Sequence, residues 1–143
     1  QEKKKSNNLV LSGVHGKDKV TVLRSRNGFL YSGGHNGSVL EHTLEKDAND
    51  DIYIMTTRSF HCGPVASVYY INWDAQGNML VGGFSYNDFC LYECTNHYLL
   101  MREQCGGWRR PNALIVPNSL LPHQTVIFAY QWTNKFSPNS PNG

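Results

Sequence analysis

Six histidines and eleven carboxylates are the side chains of this 143-residue sequence that could carry acid–base or metal chemistry. His15, His35 and His61 stand in predicted turns, and His97 and His123 are isolated in polar or proline-bounded turns. No G-x-S-x-G, H-E-x-x-H or phosphate-loop pattern connects them. We therefore expect no catalytic residue, no metal site and no cofactor site, and we expect histidines that make structural hydrogen bonds.

The four cysteines, Cys62, Cys90, Cys94 and Cys105, form no C-x-x-C pair and no pattern that indicates zinc. Cys90 and Cys94 are four residues apart, which places both on one face of a strand. Buried, reduced thiols are typical of cytosolic proteins. The sequence therefore predicts packed free thiols and a cytoplasmic protein.

Basic and aromatic residues are the remaining side chains that could bind a partner. Trp108, Arg109 and Arg110 follow a Gly-Gly turn, where we expect exposure. A second basic group consists of Lys17, Lys19, Arg24 and Arg26. Such cations can contact phosphates while a ring stacks on an unpaired base, although a packed tryptophan with solvated arginines would look the same in sequence.

Charge and hydropathy exclude some classes of protein. The net charge of +2 is too small to indicate a dedicated nucleic-acid binder, and the Lys3–Lys5 run is typical of a solvated segment. No stretch is apolar enough to span a bilayer, and the segment QEKKKSNN lacks the apolar core of a signal peptide. Because the sequence begins with Gln1, we expect further residues upstream.

Short strand-like runs separated by Gly, Asn and Asp turns make up most of the chain, and no segment of useful length has helical periodicity. The predicted strands are 19–23, 28–32, 38–44 and 52–56, then 64–71, 79–83, 88–92 and 98–101, and then 112–116 and 125–130. Val20 and Val65 are 45 residues apart, and Gly33 and Gly82 are 49 apart. A period of this length predicts the blades of a β-propeller.

The prediction is an all-β chain of about three four-stranded antiparallel blades, at approximately 15–59, 61–104 and 106–136, with a tail at 137–143. Three blades leave sheet faces open, so we expect residues 1–143 to be part of a larger propeller. Gly33-Gly34 and Gly82-Gly83 suit the crowded inner strands.

The chain resembles the WD40 family, because His15-Gly16 and His61-Cys62-Gly63 stand where that family has its Gly-His element. The family's Trp-Asp dipeptide is absent. Glu41-His42 and Tyr92-Glu93 occupy its place at the end of the third strand.

A narrower resemblance covers most of the chain and points to the WD-repeat-containing protein 6 family. It is carried by HGKDKVT (15–21), LYSGGHNG (30–37), CGGWR (105–109) and FAY (128–130). The resemblance implies a non-catalytic scaffold that partners an FtsJ-like methyltransferase, which methylates the ribose 2′-hydroxyl of tRNA position 34. The methyl donor, S-adenosylmethionine, would bind the methyltransferase, and this chain would help to place the tRNA. The alternative function is a WD40 protein-interaction platform in trafficking or signalling.

Overall fold

A computed structural model describes residues 8–116 and 126–131, and all regular secondary structure in this part of the chain is β-strand. The strands are β1 (Val20–Arg26), β2 (Phe29–Gly34), β3 (Val39–Lys46), β4 (Ile52–Phe60), β5 (Ser67–Trp73), β6 (Met79–Ser85), β7 (Asp88–Glu93), β8 (Tyr98–Gln104), β9 (Asn112–Ile115) and β10 (Ile127–Tyr130). The predicted all-β class is confirmed.

Eight strands form two four-stranded antiparallel sheets, ordered β1-β2-β3-β4 and β5-β6-β7-β8. Each strand pairs with its neighbour in sequence, as expected for a propeller blade. The β1–β2 turn shows why the chain reverses there. Asn27 and Gly28 have φ angles of 51° and 81°, a left-handed conformation that these two residue types tolerate best.

The two sheets share their irregularities as well as their strand order. Each sheet has one extra residue in its first strand, Thr21 or Tyr69, and one extra residue in its fourth strand, Thr57 or Leu100. A β-bulge bends a strand and increases its twist, so matching bulges give the two sheets matching shapes. The shared bulges support the internal repeat seen in the sequence.

The main core lies between the two sheets, where β1 and β2 meet β5. Val39 of the first sheet and Val68, Ile71 and Val81 of the second are completely buried there. Full burial of such a side chain contributes roughly 1.5–3 kcal/mol. Sheet-to-sheet packing is therefore a large part of what stabilises the fold.

Glycines allow this close approach. A Cβ at Gly33 would lie 2.6 Å from a methyl of Val68, and one at Gly83 would lie 2.7 Å from a methyl of Val65. Real side chains do not come this close, so the positions exclude anything larger than glycine without a shift of the neighbours. The predicted need for small residues in these strands is confirmed.

A third sheet of two strands, β9 and β10, covers the other side of the second sheet. Phe128 stacks on Phe89 with ring centroids 3.8 Å apart, and Leu114 packs in the same cluster. Only part of the third predicted blade is described, because residues 117–125 and the predicted 137–143 tail lie outside the described residues. Its four-stranded form and the blade boundaries remain predictions.

Several strands extend beyond their predicted ends. The clearest case is β4, predicted to stop at 56, which continues to Phe60 through a ladder that pairs Phe60 with Val39. Conversely, β5 begins at Ser67 and not at Pro64, because Val65 N–H bonds to the Cys62 carbonyl in a turn, at 3.2 Å. Pairing with a neighbouring strand, which local sequence does not specify, sets the end of β4, whereas a local turn sets the start of β5.

All four cysteines are buried and free, as predicted. Cys62 lies in the segment after β4 and Cys94 directly after β7, and the two thiols share a hydrogen bond, which lowers the pKa of Cys62 and raises the pKa of Cys94. Both thiols pack in the main core with Cys90, whereas Cys105 belongs to the cluster between the second and third sheets.

Candidate nucleic-acid interface

The most buried histidines lie in a chain of hydrogen bonds inside the first sheet. Ser32 Oγ is 2.8 Å from His15 Nε2 and 2.8 Å from His42 Nε2, and His42 Nδ1 is 2.9 Å from Thr56 Oγ1. Burial lowers the pKa of His42, and the nearby His15 lowers it further. These hydrogen bonds connect β2, β3, β4 and the segment before β1, which is the structural role predicted for His15.

His42 and Tyr92 fill the space at the two positions where the Trp-Asp dipeptide is missing. His42 completes the hydrogen bonds of the first sheet. Tyr92 packs so closely on Gly63 that a Cβ there would lie 2.5 Å from the ring. The neighbouring Glu93 is buried and accepts hydrogen bonds from the Thr95 and Asn96 amides, at 2.6 Å and 3.1 Å. Different side chains thus stabilise each blade without the dipeptide.

No group of three or more His, Cys, Asp or Glu residues that could hold a metal occurs among residues 8–116 and 126–131. The described part of the chain also contains no helix long and apolar enough to cross a membrane.

Aromatic and basic residues converge around Trp108, which is half-buried in the turn after β8. We call Lys19, His35, Tyr69, Trp108 and Arg109 the Trp108 group. Lys19 Nζ lies 4.5 Å from the centre of the Trp108 ring, and the Arg109 guanidinium lies 5.3 Å from it. Both cations are on exposed residues. The group therefore combines an aromatic surface with two accessible positive charges.

Two further rings position Trp108. Tyr69 of β5 stacks on it at 6.1 Å between centroids, and His35 meets it edge-on at 5.1 Å. His35 Nδ1 and the Tyr69 hydroxyl are 3.2 Å apart, and burial raises the pKa of Tyr69. Sequence reasoning missed both residues, because strand pairing and sheet packing bring them to Trp108 from the distant β2–β3 turn and from β5.

Of the other residues predicted here, Lys17 is exposed in the turn before β1, and Arg110 folds back over Gly106. A Cβ at Gly106 would lie 2.5 Å from the guanidinium carbon of Arg110. Arg110 thus lies against its own turn, while Arg109 lies over the indole ring.

Arg24 and Arg26 lie in a different place, around Trp73 at the end of β5. Their guanidinium carbons are 5.8 Å and 5.1 Å from the centre of the Trp73 ring. Arg24 Nη1 also donates to Asn72 Oδ1 at 3.1 Å, which joins equivalent positions of the first strands of the two sheets. Trp73 was not predicted as a site residue.

The second basic group of the sequence is therefore divided in space. Lys19 precedes β1 and joins Trp108, whereas Arg24 and Arg26 end β1 and join Trp73. A seven-residue strand is about 20 Å long, at about 3.3 Å per residue. The structure thus presents two separate sets of cations, each on its own tryptophan.

Comparison with known proteins gives limited similarity. No protein-family model matches the chain, and no solved structure matches it significantly. The tRNA (34-2′-O)-methyltransferase regulator WDR6 of Bos taurus is 28% identical over 100 residues, which are 70% of this chain and 8% of that protein. The same-named protein of Rattus norvegicus is 27% identical over 100 residues, again 70% of this chain and 8% of that protein.

The chain therefore spans less than a tenth of the length of these curated relatives. Both relatives are named as regulators of a methyltransferase and not as the methyltransferase itself. Together with the four-stranded antiparallel sheets, the similarity supports a WD-repeat scaffold.

Proposed function

We propose that this protein is a non-catalytic WD-repeat scaffold that partners an FtsJ-like methyltransferase and helps to hold the tRNA whose position-34 ribose is methylated. The methyltransferase carries S-adenosylmethionine and performs the transfer, and the propeller contributes a rigid surface. The proposal places the protein in the cytoplasm, as the reduced thiols predicted.

The Trp108 group is the observation that carries the proposal. Lys19 and Arg109 are exposed cations on one indole ring, and neither forms an ion pair with a described residue. Proteins that bind unpaired RNA combine these two features, because the cations attract phosphates and the ring stacks on bases. The names of the similar proteins supply the kind of RNA and the reaction.

Rigidity supports the same role. Trp108 is held by Tyr69 and His35, so little conformational freedom is lost when a base stacks on it. A scaffold that places a substrate for another enzyme needs such a preorganised contact.

The test is the level of 2′-O-methylation at tRNA position 34, measured by mass spectrometry in cells that lack the gene and are complemented with variants. The double variant Lys19→Gln/Arg109→Gln removes both charges of the Trp108 group and leaves the core intact. We expect loss of the mark without the gene, restoration by the wild type, and reduced restoration by the double variant.

Lys46→Gln is the matched control, since Lys46 is an exposed cation at the end of β3. It should restore the mark fully. A mark that persists without the gene would overturn the proposal. Purification of the protein with protein partners only would then favour the interaction platform in trafficking or signalling.

A further inference from the structure

Trp73 borders two cavities. One, of about 480 Å³, lies beside Tyr31, Phe60 and Met79 between the first two sheets. The other, of about 370 Å³, is lined by Arg24, Arg26 and Asn72 and reaches Val116 near the third sheet. Both volumes fall in the range of about 300–1,000 Å³ that is typical of small-molecule sites. We call the two cavities and Trp73 the Trp73 cleft.

The larger cavity has an aromatic wall. Tyr31 meets Trp73 edge-on at 5.1 Å between centroids, and Phe60 lies 6.3 Å from Tyr31. Arg58 covers the ring of Phe60 at 4.6 Å. Tyr31 is buried, whereas Trp73 and Phe60 are half-buried. Partly exposed rings with a guanidinium at the rim can stack on a planar heteroaromatic ring.

The smaller cavity has a cationic wall. Arg24 and Arg26 both lie over the ring of Trp73, and Asn72 holds Arg24 in place. Neither Arg24 nor Arg26 makes an ion pair with a described residue. Two such guanidinium groups side by side suit a phosphate, because each offers several N–H donors.

One carboxylate lines each cavity, Asp74 the smaller and Glu41 the larger, and both accept hydrogen bonds from the protein. Asp74 accepts from the Gln76 and Asn78 amides at 2.9 Å and 2.8 Å, which closes the β5–β6 turn. Glu41 accepts from the Tyr31 hydroxyl at 3.1 Å and from Thr57 Oγ1 at 3.1 Å. Neither carboxylate forms an ion pair with Arg24 or Arg26, so neither occupies the N–H donors of the two guanidinium groups.

We propose that the Trp73 cleft binds one unstacked nucleotide, with its base against Tyr31 and Trp73 and its phosphate at Arg24 and Arg26. Trp73 lines both the aromatic and the cationic cavity, and the two cavities match the two halves of a nucleotide. The inference rests on the proposed RNA-binding function and adds a second contact, about 20 Å along β1 from the Trp108 group. At a stacked spacing of about 3.4 Å, roughly six nucleotides separate the two contacts.

The experiment measures binding of the full-length protein to a fluorescein-labelled single-stranded RNA decamer, which is long enough to reach both contacts. Fluorescence anisotropy is recorded over a range of salt concentrations. Separate arms use an unlabelled trinucleotide and free adenosine monophosphate as competitors. Photocrosslinking of a 4-thiouridine decamer, followed by peptide mass spectrometry, locates the contact.

Arg24→Gln/Arg26→Gln should weaken decamer binding and reduce the slope of log affinity against log salt by about 0.7 for each lost phosphate contact. Trp73→Leu should weaken binding about 5- to 150-fold, the range for loss of one stacked base. Because Trp73 also contacts the core, the double arginine variant, at the exposed Arg24 and the half-buried Arg26, keeps the test valid if Trp73→Leu fails to fold. Tyr98→Leu, an exposed aromatic residue on β8, and Lys46→Gln are matched controls and should bind normally.

The outcomes separate the two proposals. Decamer binding that depends on Lys19 and Arg109 but not on Arg24 and Arg26 would overturn the nucleotide cleft and leave the proposed function standing. No RNA binding at all would overturn both. Competition by free adenosine monophosphate, with crosslinks confined to other peptides, would assign the cleft to a free nucleotide and refute it as an RNA contact. A crosslink on β2 or β5 that disappears in the arginine double variant would support it.

Discussion

Ser32→Ala tests whether hydrogen bonds among His15, Ser32 and His42 stabilise the first sheet in place of the missing Trp-Asp dipeptide. The serine hydroxyl has one proton, so it donates to one ring nitrogen and accepts from the other, at 2.8 Å each. Alanine removes both bonds. Ser32 is completely buried, so the ring nitrogens lose a partner where water has no ready access.

The expected loss of stability is about 2–4 kcal/mol. Two net hydrogen bonds contribute about 1 kcal/mol each, and each unsatisfied buried group costs about 1–3 kcal/mol. Because a protein built of repeats can unfold in several cooperative steps, a single global free energy would be a poor measure. Hydrogen exchange of peptides from β2 and β3 reports the local value. Their slowest amides should exchange roughly 30- to 700-fold faster, at about 1.4 kcal/mol per factor of ten.

Ser25→Ala is the matched control, because Ser25 is an exposed serine on β1 of the same sheet. Its effect should stay within about 0.5 kcal/mol, as for most surface substitutions. If Ser32→Ala changes exchange by no more than Ser25→Ala, the bonds among the two histidines and the serine do not stabilise the blade. The reasoning about the missing dipeptide would then be wrong.

Two further predictions concern the same sheets. Because burial lowers the pKa of His42 below its reference value of 6.5, the unfolded state binds more protons below that pH. Stability should be complete above about pH 6.5 and fall as the pH decreases toward the lowered pKa. Hydrogen exchange of β3 peptides, corrected for the intrinsic effect of pH on exchange, should show a lower local stability at pH 5.5 than at pH 7.5, and equal stabilities would contradict this. Gly83→Ala places a Cβ 2.7 Å from Val65 and 2.9 Å from the carbonyl carbon of Ser67. It should destabilise the second sheet by about 1–3 kcal/mol, measured by hydrogen exchange of β5 and β6 peptides, while Ser85→Ala on the same strand should change little.

Local sequence predicted most of the strands, because alternating apolar residues and turn residues act over only a few positions. Asn27-Gly28 is an example, since its positive φ angles follow from residue type alone. The length of β4 could not be predicted in this way. Its last residues pair with Val39 across the sheet, and the sequence of β4 does not contain that information.

The candidate interface was predicted only in part. Trp108 and Arg109 were found because tryptophan and arginine in a Gly-Gly turn suggest an exposed site. Trp73 was not, because its position at the end of an ordinary apolar strand resembles that of a core residue. Only the two arginines over its ring distinguish it.

The sequence by itself determined that the chain is all-β, that it repeats, and that its thiols are buried, because these properties follow from short-range pattern and composition. The tertiary structure decided which cation meets which ring. Lys19 and Arg26 are close in sequence, but the extended strand β1 separates them by about 20 Å. Packing of the sheets instead brings Arg24 to Asn72, 48 residues away. Binding surfaces in a repeat protein depend on such contacts between units, which no single stretch of sequence contains.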